Sequence, residues 1–266
     1  MKLFVVDAFA SQPFKGNPAA VCLIEGNPTP EWMQSVASEM NLSETAFVER
    51  LPEGLGLRWF TPTTEVPLCG HATLASAHAL WEAGHIPAEE PARFKTRSGV
   101  LVARRQGSRI EIDLPASPVE DVAPPPELLQ ALQVEPRHAV RTRDRGLGDF
   151  DYLLELGSEQ EVRAIQPDFA RLRRIAAGVV VTARATHGPW DIVSRYFAAY
   201  WGIDEDPVTG AAHTSLVPYW CPRLGKDSLI AYQASTRGGV LDCRLQGDRV
   251  LLAGEAVTVV KGTLFA

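Results

Sequence analysis

Glu65-Val66-Pro67-Leu68-Cys69-Gly70-His71-Ala72-Thr73 decides the fold, because the chain carries a second version of it. Adding 140 to each position places Glu65, Pro67, Gly70 and Ala72 on Glu205, Pro207, Gly210 and Ala212. The same offset carries Thr96-Arg97-Ser98-Gly99-Val100-Leu101 onto Thr236-Arg237-Gly238-Gly239-Val240-Leu241, and Arg104, Gln106, Gly107 and Arg109 onto Arg244, Gln246, Gly247 and Arg249. A register held over about forty residues is the mark of an internal duplication. Coincident turn chemistry is the bland alternative, since glycine often follows proline in loops.

Each copy reads as a loop running into a helix. Ala72 to Trp81 and Ala211 to Val217 are small or apolar on nearly every face, the pattern of a helix buried all round. Such a helix start offers unpaired N–H groups and the positive end of the dipole to an anion. Glycine at Gly70 and Gly210 lets a ligand approach the backbone closely. The duplication predicts two such termini sharing one carboxylate-bearing substrate.

The 266 residues, 45% of them hydrophobic, suffice for two domains. The proline-rich stretch Pro115–Pro126 predicts the boundary, giving domains 1–116 and 117–266, with the last strand, near Val257–Phe265, a candidate to cross back. A net charge of −6 without a basic cluster argues against nucleic acid. No run reaches the roughly 20 apolar residues of a spanning helix, and the start of the chain reads as a strand. Four cysteines without a C-x-x-C pattern point to a reduced, cytosolic protein.

Thr29 and Pro30 predict the N-terminus of a helix ending near Asn41. Leu42 to Glu49 reads as a strand with Ser43 and Glu44 at its start. Many short strands and one apolar helix per half predict an α+β fold, a mixed sheet wrapped around a central helix, twice.

Glu44 is the leading acid/base candidate. Leu42, Ala46, Phe47 and Val48 give it apolar neighbours, a setting that raises a carboxyl pKa toward a useful value. The plainer reading is a surface glutamate at a strand's start. Asp206 precedes the second helix where the first copy has Val66, as a functional carboxylate or a capping one. His71 follows Gly70, placed to hydrogen-bond a ligand, relay a proton or simply cap, and the helix's positive end should keep it neutral. Cys69 stands where a helix dipole lowers a thiol pKa. Its duplicate is Thr209, which cannot act as a base, so a symmetric two-cysteine racemase is disfavoured. A small buried residue is the bland reading of Cys69. His78 and His85 lack an acidic partner motif, so the expectation is a metal-free protein.

Four stretches, Phe14-Lys-Gly-Asn-Pro-Ala-Ala-Val21, Asn41-Leu-Ser-Glu-Thr-Ala-Phe-Val48, Cys69-Gly-His-Ala-Thr-Leu-Ala75 and Glu205-Asp-Pro-Val-Thr-Gly-Ala-Ala-His213, together resemble the phenazine-biosynthesis PhzF-like family of the diaminopimelate-epimerase superfamily. The resemblance spans essentially the whole chain. It implies two similar strand-rich domains, each a barrel around a central helix, with the active site in the cleft between. It implies isomerisation without a cofactor, the glutamate matching Glu44 moving a proton between carbons and His71 and Asp206 assisting. Asn17, Gly70, Gly210 and Ala211 match substrate-binding positions, and a homodimer is implied. Phenazine-pathway members carry serine where this chain has Ala211, which puts the phenazine precursor in doubt as substrate. Two other readings stay open, a non-catalytic small-molecule-binding protein and a one-base epimerase or racemase using Cys69.

Overall fold

The computed structural model describes residues 1–52, 54–142 and 150–265. The chain divides into two compact units, one of Met1–Leu114 with Leu251–Ala266, the other of Pro115–Val250.

The first unit opens with β1 (Lys2–Ala8), β2 (Asn17–Ile24), α1 (Pro30–Met40) and β3 (Glu44–Leu51). It continues through β4 (Gly54–Phe60), β5 (Glu65–Val66), α2 (Gly70–Glu82), β6 (Ala92–Thr96), β7 (Gly99–Gln106) and β8 (Arg109–Pro115). The second contains β9 (Val119–Asp121), α3 (Pro126–Leu132), β10 (His138–Thr142), β11 (Asp151–Glu155), α4 (Glu159–Ala164), α5 (Phe169–Leu172) and β12 (Gly178–Arg184). After β13 (Ile192–Ala198), β14 (Ile203–Asp206), α6 (Gly210–Leu224), β15 (Ser228–Gln233) and β16 (Gly239–Gln246), β17 (Arg249–Gly254) returns the chain to the first unit. There β18 (Ala256–Thr263) pairs antiparallel with β1, from Lys2 opposite Thr263 to Ala8 opposite Ala256.

Strand pairing repeats in the same order in both units. β1–β2 is antiparallel, β2–β3 parallel, β3–β4 antiparallel, β4–β6 parallel and β6–β7 antiparallel. β10–β11, β11–β12, β12–β13, β13–β15 and β15–β16 follow the identical alternation. The elements around each helix keep the sequence offset, α2 and α6 starting at Gly70 and Gly210 and β7 and β16 running from Gly99 and Gly239 to Gln106 and Gln246.

Local chemistry sets the element ends. Thr29 caps α1 by accepting from Trp32 N, Pro30 takes the first turn, where its missing N–H costs nothing, and Asn41 closes the helix at φ 49°. Met33, Val36 and Ala37 of α1 are buried with Cys22, Ile24, Phe47 and Phe60, a layer in which each large side chain contributes about 1.5–3 kcal/mol. α2 is buried on nearly every face, from Gly70 to Trp81 with only His78 partly open, and it packs against β1, β2 and β3. Its low amphipathicity is the reason it forms the centre of its unit rather than a surface layer. α6 packs against β15 and β16 in the second unit and is buried over most of its length.

Candidate active site

In the first unit three elements bring side chains together at the start of α2. β2 begins at Asn17 and β3 at Glu44, and their parallel register sets Ala19 opposite Glu44. His71 is the second residue of α2, and Cys69 is its N-cap. The His71 ring stands between them. Nδ1 is 3.2 Å from Asn17 Nδ2 and 3.5 Å from Cys69 Sγ, and Nε2 is 3.3 Å from Glu44 Oε2. The last distance is short but poorly directed for a hydrogen bond, so it is a close contact rather than a well-formed bond.

Burial decides the charge of the His71 ring. His71 is 3% exposed, and desolvation lowers its pKa from 6.5 to about 3, so the ring is neutral at working pH. The helix-end expectation of a neutral ring therefore stands, with burial as the cause. With Asn17 Nδ2 donating to Nδ1, the neutral ring keeps its proton on Nε2, the nitrogen facing Glu44. The Glu44 side chain is 14% exposed, enclosed but reachable.

Neither central helix has a side-chain cap, Cys69 and Thr209 occupying the N-cap positions without bonding the first-turn amides. Those amides have no intrahelical acceptor, which suits an anion. In both units a serine of the following turn holds the proline carbonyl before the helix, Ser98 Oγ on Pro67 O and Ser235 Oγ on Pro207 O, each at 2.8 Å.

In the second unit Asp206 ends β14, 6% exposed, and its Oδ2 accepts from Thr209 Oγ1 at 2.5 Å. Gln233, fully buried at the end of β15, donates to Asp206 O at 2.7 Å and accepts from Thr209 N at 2.8 Å. The amide thus fixes the approach to Gly210 and Ala211. His213 Nδ1 donates to Thr209 O at 2.8 Å, and desolvation lowers the pKa of this buried ring to about 4 despite that bond.

Asn17, Glu44, Gly70 and His71 thus fall together in the first unit, and Asp206, Gly210 and Ala211 in the second. His78 lies apart, 3.1 Å from Thr258 Oγ1 and 3.5 Å from Glu82 Oε2. Gln233 and His213 were not singled out by sequence reasoning. Gln233 left only a faint signal, a polar residue in an otherwise apolar strand, while His213 was visible within the 205–213 stretch.

The alternating pairing, twice repeated around an uncapped buried helix, defines an α+β protein of the diaminopimelate-epimerase-like class. A probable proline racemase of Agrobacterium radiobacter has the same fold, with a TM-score of 0.69 at 14% identity over 99% of this chain and 92% of that one. The family described as phenazine biosynthesis-like protein matches residues 6–262, and this chain belongs to it. A Halalkalibacterium halodurans protein named an uncharacterized isomerase is 51% identical over 264 residues, 98% of this chain and 97% of the relative. The crystal structure of a PhzF-family phenazine biosynthesis protein from Enterococcus faecalis matches with a TM-score of 0.89 and 40% identity, over 100% of this chain and 99% of that one.

Proposed function

We propose that this chain is an isomerase of a small carboxylate-bearing metabolite, working without a cofactor, in which Glu44 moves one proton between two carbons of the substrate. The observation that carries this reading is the Glu44–His71 pair, an enclosed carboxylate 3.3 Å from a ring that burial keeps neutral. A ring kept neutral beside the carboxylate does not compete with it for the substrate's proton. The Glu44 carboxylate takes a proton from one carbon, the electron pair left behind shifts along the unsaturated system, and the resulting acid returns the same proton to another carbon. Atoms and charge balance within the substrate, and no oxidant or reductant enters.

Asn17 holds His71, and Asp206 is the acid/base candidate of the second unit. The uncapped first turns at Gly70 in the first unit and at Gly210 in the second each offer backbone amides to a carboxylate, and Ala211 lies beside the second of them. Its methyl group, in place of a serine hydroxyl, favours a substrate other than the phenazine precursor. The name isomerase on the Halalkalibacterium relative agrees with this class of reaction. A cytoplasmic homodimer completes the proposal. The test is incubation with a panel of unsaturated and amino carboxylates in deuterated water, followed by NMR. Deuterium incorporation or double-bond migration is expected for one class of substrate, and tight binding without exchange would favour a non-catalytic binding protein.

One observation favours a second reading. Cys69 Sγ is 3.5 Å from His71 Nδ1, a pairing that could serve a one-base epimerase. Full exchange activity in Glu44→Gln, together with its loss in Cys69→Ala, would select that reading.

A further inference from the structure

The cluster at the start of α2 holds three different metal-ligating groups. One donor atom each from Glu44, Cys69 and His71 can be chosen so that all lie within 4.8 Å of one another. The cysteine and histidine are 5% and 3% exposed, and the glutamate side chain is 14% exposed. All three residues belong to one compact unit, at the start of a helix and the first position of a strand. We propose that these three side chains form an inhibitory site for a thiophilic divalent cation of the zinc class.

The chemistry of the donors selects the ion. Thiolate, imidazole and carboxylate together form a set typical of zinc, whereas calcium and magnesium take oxygen ligands. Bonds of about 2.0–2.3 Å from a tetrahedral ion put neighbouring donors roughly 3.3–3.7 Å apart. Here Cys69 Sγ to His71 Nδ1 is 3.5 Å and His71 Nε2 to Glu44 Oε2 is 3.3 Å. These short distances run to opposite ring nitrogens. The ion takes one nitrogen, and the donor on the far side closes in from within the 4.8 Å limit by rotating its side chain. Burial favours the neutral ring, whose single lone pair the ion takes in place of the hydrogen bond from Asn17 Nδ2. On binding, the Cys69 thiol releases its proton to solvent and its sulfur bonds the ion. His71 gives the lone pair of one nitrogen, and Glu44 gives a carboxylate oxygen.

Among the described residues, the other three cysteines belong to no comparable group. Cys22, Cys221 and Cys243 are buried in the core, and desolvation raises their pKa to about 12, to about 11 and well above 9.0. The bound ion would occupy the oxygen that the proposed proton transfer uses. That inhibition rests on the functional reading above, while ion binding does not.

Titration of the full-length protein with cobalt(II) tests the inference. One equivalent should produce a near-ultraviolet thiolate-to-cobalt absorption, and zinc should displace it. Cys69→Ser should abolish the band, and Glu44→Gln should weaken cobalt affinity at least about tenfold, with circular dichroism confirming that each variant is folded. A wild-type protein without the band, a band undiminished in folded Cys69→Ser, or an unchanged affinity in Glu44→Gln would each overturn the site. Should Cys69→Ser fail to fold, the Glu44→Gln affinity decides alone. Zinc should also halt deuterium exchange, with recovery on adding EDTA. If no carboxylate in the panel exchanges, the functional reading fails while the cobalt band still decides this one.

Discussion

Glu65 and Glu205, 140 positions apart, hold the same place in their own units, each carboxylate gripped by both a side nitrogen and a terminal nitrogen of a strand arginine. Arg58 reaches Glu65 at 2.8 and 2.9 Å, and Arg195 reaches Glu205 at 2.7 and 3.0 Å. The surroundings differ. Arg195 has a side chain only 10% exposed and also donates to Ile165 O at 2.7 Å, whereas the Arg58 side chain is 27% exposed. Removing one partner of a buried pair strands the other, so Arg195→Met should cost about 3–5 kcal/mol. Arg58→Met should cost about 1 kcal/mol. Urea unfolding of both variants checks the ranking, and equal losses would contradict it.

Glu44→Gln keeps the size and the hydrogen-bonding shape of the side chain but cannot accept the proton. Turnover on the true substrate should fall at least ~10²-fold, as for other lost general bases, with ligand affinity and melting temperature nearly unchanged. Wild-type turnover in this variant would move suspicion to Asp206, His71 or Cys69.

Stability should fall as the solution is acidified from pH 6.5 toward pH 4. His71 and His213 have folded pKa values of about 3 and about 4, below the 6.5 of an unfolded histidine. Between those limits the unfolded chain binds more protons than the folded one, so the stabilisation present above pH 6.5 is lost on the way down. Each ring contributes a slope of up to about 1.4 kcal/mol per pH unit. Denaturant melts at pH 7 and pH 5 measure the slope, which His213→Gln should make shallower. An unchanged slope in that variant would remove His213 from the account.

Gly16→Ala should damage both fold and site. Gly16 has φ +65°, and an added Cβ would lie 2.1 Å from Ala8 O and 2.8 Å from Ala10 Cβ. The neighbouring loop is held by Phe14 N donating to Asp7 Oδ2 at 2.6 Å, and Asn17 follows directly. A clash with backbone leaves little room to relax, so a loss of roughly 1–3 kcal/mol is expected. Calorimetry reads the loss, and the His71 ring signals in NMR read the displaced Asn17.

Gln233→Leu should cost about 1–3 kcal/mol by leaving Thr209 N and Asp206 O without the amide that bonds them. The loop before α6 should also exchange its amide protons faster. Hydrogen exchange at Thr209 that matches wild type would show that Gln233 does not hold the loop.

Composition and spacing alone were enough for the duplication, the α+β class and several element ends. The constant offset placed both helix starts, Gly70 and Gly210, and the Thr29–Pro30 and Asn41 signals fixed α1, because capping chemistry acts over a few neighbouring residues. The family motifs named Asn17, Glu44, His71 and Asp206 without locating them in space. Only the tertiary structure decided that Asn17, Glu44 and Cys69 surround one imidazole, since that depends on the parallel register of β2 and β3 and on α2 lying against both. It also decided that His71 is neutral through burial and that Gln233, 24 residues beyond Thr209, fixes the second helix start. The return of the last strand to the first unit was expected from the sequence, near Val257–Phe265, whereas its register on β1, Lys2 opposite Thr263, belongs to the same category. Long-range register and solvent exclusion are properties of the packed chain as a whole, so no local run of residues encodes them.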